Sequence, residues 1–108
     1  MSHSSYALEK LSLAIYYLAT GPGDVRKRLK TAYMEFHPVS ENDFPPELRD
    51  NWKWIINQLT RLGPVYHSDG TVFIGALDNT LSRIKNSTGV KIAERIVALE
   101  DELRNRLN

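Results

Sequence analysis

Leu48, Trp52, Ile55, Leu59 and Leu62 follow one another at spacings of four, three, four and three residues. That rhythm puts all five on one face of an α-helix. Pro45 and Pro46 precede the stripe and Gly63-Pro64 follow it. A residue before proline avoids helical backbone, whereas proline itself fits the first helical turn, so the spacing predicts a helix from about Pro46 to Leu62.

The same grammar recurs along the chain. Leu8, Leu11, Ile15 and Leu18, with Ala7 and Ala14, give a first helix over about Ser5–Thr20, which Gly21-Pro22-Gly23 ends. Asp24 then caps a second helix, Val25–Phe36, whose stripe is Val25, Leu29, Ala32 and Phe36 and which Pro38 stops. Between Gly63-Pro64 and Gly75 the pattern is ambiguous. Val65-Tyr66 and Thr71-Val72 flank His67–Gly70 as a small hairpin would, but strands this short are marginal, and a loop is the preferred reading. Phe73, Leu77, Thr80, Leu81 and Ile84 form a fourth helical face. Asn86–Gly89 reads as a stop and a cap, followed by a fifth helix from Val90 to about Leu107 carrying Ile92, Ile96, Leu99, Leu103 and Leu107 inward and charge on its other faces. One long kinked helix from Phe73 to Leu107 is the runner-up. Short links favour antiparallel neighbours, so the expected fold is all-α, an up-and-down bundle of four to five helices.

At 108 residues the chain is expected to be one domain, 1–108, with residues 1–4 as a flexible tail. Fourteen basic and thirteen acidic residues leave a net charge of +1, so no global field attracts nucleic acid or membrane. The absence of cysteine excludes disulfides and thiolate chemistry and argues against structural zinc; neither a metal nor a cofactor is expected. No signal peptide precedes the first helix, and no apolar run approaches the roughly 20 residues of a membrane span. The expectation is a soluble cytoplasmic protein of bacterial size.

Three surface signals bear on function. The first helix is apolar on a second side, where Tyr6, Leu13 and Tyr17 fall together, and Trp54 lies off the Leu48–Leu62 stripe. Tyrosine and tryptophan suit partner surfaces, although the preferred reading of Trp54 is cover by the Val65–Thr71 loop or the N-terminal arm, with a partner contact second. The second helix carries Arg26, Lys27, Arg28 and Lys30, with Arg26, Lys30, Tyr33 and His37 along one flank, a pattern that can neutralise phosphates and stack a base. The Gly-Pro-Gly-Asp turn before it lacks the second glycine and the lysine of a P-loop, and Asp24 would oppose a phosphate. His3 falls in the expected tail and His37 at a helix C-terminus, where the dipole favours its charged form.

Arg61 and His67 are separated by five residues. This spacing resembles the motif of HEPN ribonucleases, small helical bundles whose paired arginine and histidine act on RNA at a dimer interface. Here Leu62 replaces the usual polar residue after the arginine, and Gly63-Pro64 interrupts the helix. No HExxH pair or nucleophile elbow is present. The consecutive Glu100-Asp101-Glu102 point around a helix and cannot converge on one bond.

The leading expectation is therefore a non-enzymatic helical interaction module, homodimeric or a subunit of a larger assembly, with Tyr6, Leu13, Tyr17 and Trp54 at its interface. Nucleic-acid binding through Arg26, Lys27, Lys30, Tyr33 and His37 is the alternative. A HEPN-like ribonuclease using Arg61 and His67 is the second alternative.

Overall fold

The computed structural model describes residues 3–107; Met1 and Ser2 of the expected tail, and Asn108, lie outside the described residues. The fold is an all-α helical bundle with one small β-hairpin. Helix α1 spans His3–Thr20 and buries Ala7, Leu11 and Ala14 completely. It begins inside the segment expected to be a tail, because its first turn is tethered. His3 Nδ1 lies 2.9 Å from Asp43 Oδ1, and Ser4 Oγ donates to the Asp43 carbonyl at 3.2 Å. Burial pushes the Asp43 carboxyl up, but hydrogen bonds from the Ser40 amide and His3 outweigh it, and its pKa falls below the ordinary value.

Helix α2, Val25–Phe36, has the bounds expected from sequence. The Asp24 carboxylate accepts from the amides of Arg26 (2.9 Å) and Lys27 (3.2 Å), satisfying donors that the first helical turn leaves open. Two single 3₁₀ turns, Glu41–Asp43 and Pro46–Leu48, lead into helix α3, Arg49–Leu59. Leu48, Trp52, Ile55 and Leu59 are all buried, so four of the five stripe residues build the core. Trp52 sits edge-on to Phe36 (centroids 5.4 Å) and against Phe44 (5.1 Å), an aromatic cluster joining α2 to α3.

Helix α3 stops three residues before the predicted end, leaving Leu62 exposed. The cause is a pair of buried polar residues far along the chain. Thr80 Oγ1 accepts from the Leu62 amide at 3.1 Å, and Asn79 Nδ2 donates to the Gly63 carbonyl at 3.0 Å. Gly63 turns the chain with φ +69°, a conformation costly for residues with a Cβ. Thr80→Val preserves shape but strands the Leu62 amide, and should cost about 1–3 kcal/mol in urea unfolding.

The preferred loop over 65–75 is replaced by a hairpin: β1 (Val65–Tyr66) pairs antiparallel with β2 (Val72–Ile74), Val65 opposite Ile74 and Tyr66 opposite Val72. Its turn supplies the stability that strand length does not. The His67 amide donates to the Thr71 carbonyl (2.7 Å) and the Gly70 amide to the His67 carbonyl (3.0 Å), with Gly70 at φ +90°. A three-residue loop with glycine at its left-handed end is a favoured hairpin connection. Asp69 accepts from the Thr71 hydroxyl (2.7 Å) and amide (2.9 Å), and these bonds hold its carboxyl below the ordinary range.

Phe73, assigned from sequence to the fourth helix, lies on β2 and is exposed. Helix α4 is Ala76–Arg83 and α5 is Asn86–Leu107. The break between them falls at Ile84, whose backbone is extended (φ −77°, ψ 156°), so a continuous rod is ruled out. The Asn86–Gly89 segment is not a stop but the first turn of α5. Helix α1 packs on α2 and α5, α3 on α4 and α5, and α4 on α2. The core gathers Leu29, Ala32 and Phe36 of α2 with Ile92, Ile96, Leu99 and Leu103 of α5.

Candidate functional site

The second face of α1 divides. Tyr6 and Tyr17 are half-buried, with Tyr6 packed against the core and Lys10 Nζ 5.8 Å from its ring centroid. Leu13 is exposed, and so is Tyr16, which stands edge-on to Tyr17 with centroids 5.4 Å apart. Trp54 is half-buried, packs against the core and takes a charged cover from α5. The Arg95 guanidinium of α5 lies 4.7 Å from its ring centroid and donates to Asn51 Oδ1 at 3.0 Å. Arginine stacked on tryptophan spends its charge on the ring face and shields that face from water.

The basic segment of α2 is partly gathered, but most of its charge is already engaged within the chain. Arg26 pairs with Asp24 (3.0 Å) and donates to the Ile84 carbonyl (3.3 Å), and Lys30 pairs with Asp78 of α4 (2.9 Å). The Arg26 hydrogen bond is the foremost cause holding the Asp24 carboxyl below its ordinary value. Arg28 turns inward, with Nη1 3.4 Å from the Leu18 carbonyl and Nε buried without a hydrogen-bond partner. Tyr33 stacks on His37 at 5.8 Å, which occupies the aromatic face a base would need. Among the described residues Lys27 has no carboxylate within ion-pair distance. The cations therefore line a shallow depression that also contains Asp24 and Asp78.

Arg61 follows the end of α3, and His67 precedes the hairpin turn; both are exposed. His67 packs on Phe73 (centroids 4.8 Å), and no hydrogen bond joins it to Arg61. Among the described residues no group of three or more His, Asp or Glu side chains is arranged to hold a metal ion. No helix among them is long and apolar enough to cross a membrane.

A largely apolar concavity lies elsewhere. The outer face of α5, expected to be charged, carries Val90, Ala93 and Val97, and the two valines are 46% and 47% exposed. Leu18 at the end of α1 and Val25 at the start of α2 face them, and together they line a groove of about 560 Å³. Glu94, Ala98 and Asp101 complete it. Val90, Ala93 and Val97 fall at i, i+3 and i+7, so a second apolar stripe on the last helix was present in the sequence. It was masked by the longer core stripe of the same helix. The opposite wall, from Leu18 and Val25, has no local signature because it exists only once α1 and α2 fold back together.

The carboxylates of the groove make no close ion pair: among the described residues neither Glu94 nor Asp101 lies within ion-pair distance of a cation. Arg104, three residues beyond Asp101, makes its close ion pair with Glu100 at 2.7 Å and feels Asp101 only at longer range. Comparison with protein-family models, with curated proteins and with solved structures finds no match.

Proposed function

We propose that the chain is a non-enzymatic helical interaction module that works by holding another polypeptide on its surface, as a homodimer or within a larger assembly. The groove between α5 and the α1–α2 corner carries this reading. It is open, mostly apolar and flanked by charge, the usual form of a site that accepts a helix from a partner. The exposed Leu13 and Tyr16 on α1 offer a second, flatter contact. Two of the four cations of α2, Arg26 and Lys30, are paired with carboxylates and Arg28 is turned inward, which weighs against nucleic-acid binding. The separate settings of Arg61 and His67 lend a ribonuclease no support from within one chain.

The test is site-directed photocrosslinking in the cells of origin, with a photoreactive amino acid replacing Val97 in the full chain. A discrete polypeptide adduct is expected at Val97 and not at Thr31, which is exposed on the outer side of α2. Absence of a polypeptide adduct at Val97, or equal labelling at both positions, would refute the reading.

A further inference from the structure

From the charge of the groove we infer its occupant: an amphipathic helix of a different protein, with basic residues flanking its apolar stripe. The inference rests on the interaction-module reading and adds the chemistry of the partner. Three observations carry it. The first is length. From Val90 to Asp101 the groove follows about three turns of α5, ~17 Å at 1.5 Å per residue, which a partner helix of similar length fills. The second is composition. Leu18, Val25, Val90 and Val97 present branched aliphatic side chains on both walls, suited to knobs at i, i+3 or i+4, and i+7.

The third is sign. Glu94 and Asp101 are the charged groups that line the groove, both are exposed, and among the described residues neither lies within ion-pair distance of a cation. Lysine or arginine beside the stripe of an incoming helix meets both carboxylates at the edge of a contact that excludes water, where opposite charges select the partner and speed its approach. The same sign argues against a second copy as occupant. An isologous antiparallel pairing of α5 on α5 centred near Val97 places Glu94 opposite the second copy's Asp101, like charge against like.

Two synthetic helical peptides of about 14 residues, a length set by the groove, test the inference by fluorescence anisotropy on the full chain. They share one leucine stripe at i, i+3 and i+7; one has lysine on both flanks and the other glutamate. The lysine peptide should bind about 10-fold or more tightly at low ionic strength, with the margin shrinking as salt rises. Glu94→Gln with Asp101→Asn should bring the two affinities together, and Glu94→Lys with Asp101→Lys should reverse their order. Circular dichroism checks that each exposed substitution leaves the fold intact. Equal binding of both peptides, binding of neither, or an order unchanged by charge reversal overturns the inference. These outcomes leave the interaction-module reading to the Val97 crosslink. An adduct there to the chain itself, or to an acidic helix, keeps that reading and removes this one.

Discussion

Phe36→Ala is expected to destabilise the domain by about 3–5 kcal/mol, the range for deleting a buried aromatic ring. Phe36 is completely buried and touches rings on both sides: Trp52 at 5.4 Å and Tyr33 at 5.7 Å. Removing it therefore takes transfer energy and edge-to-face contact from α2 and α3 together. The site collapses poorly, because Phe44 and Trp52 are themselves wedged against each other at 5.1 Å. Total stabilities of domains this size are about 5–15 kcal/mol, so the loss is a large share of what holds the chain folded. Urea unfolding followed by circular dichroism measures it. Phe36→Leu, which leaves a smaller void, should lose less than half as much. A loss below about 1 kcal/mol for the alanine variant would mean that the aromatic cluster is not part of the core.

Gly89→Val should be the most damaging substitution on α5 for its size. A Cβ at this position falls 2.8 Å from Val25 Cγ1 and 3.5 Å from Leu29 Cδ1, so the helices must part to admit it. Valine is a better helix former than glycine, by a few tenths of a kcal/mol. Overpacking of a close helix contact costs about 1–3 kcal/mol, and the steric term wins. For a domain near 100 residues this lowers Tm by roughly 4–8 °C per kcal/mol. The cause is checked by a double-mutant cycle: combined with Val25→Ala, the change at Gly89 should cost far less than it does alone. Additive losses would place the cost in α5 itself rather than at its contact with α2.

Gly89 also shows where reading the chain locally succeeds and where it stops. Helix α2 was legible at both ends because its signals are local: Asp24 bonds the amides two and three residues on, and Pro38 blocks continuation. The stripe of α3 was legible because burial at Leu48, Trp52, Ile55 and Leu59 follows helical periodicity. Its end was misplaced because the groups that terminate it, Asn79 and Thr80, come from α4. Asn86–Gly89 looks like a stop by composition. It is helical because the missing Cβ of Gly89 lets Val25 approach, a reason invisible without the tertiary contact.

The candidate groove divides along the same line. Its α5 wall could be counted in the sequence at Val90, Ala93 and Val97, whereas its other wall emerges only from packing. The interface residues expected from sequence, Tyr6, Leu13, Tyr17 and Trp54, shared a real property, apolar area beyond the main stripes. Their own bundle takes up part of it at Tyr6, and Arg95 covers Trp54.

The contact between α1 and α5 sets the order in which the chain can mature. Leu11 and Ala14 of the first helix share one core with Ile96, Leu99 and Leu103 of the last, and Arg104 reaches back to Ser12 at 3.4 Å. Synthesis runs from α1 towards α5 at about 5–20 residues per second, so α1 and α2 are available to each other seconds before α5 emerges. During that interval the surface destined for α5 is open to solvent and to any apolar helix nearby. A nascent chain of this protein is, for those seconds, a different binding partner from the finished one.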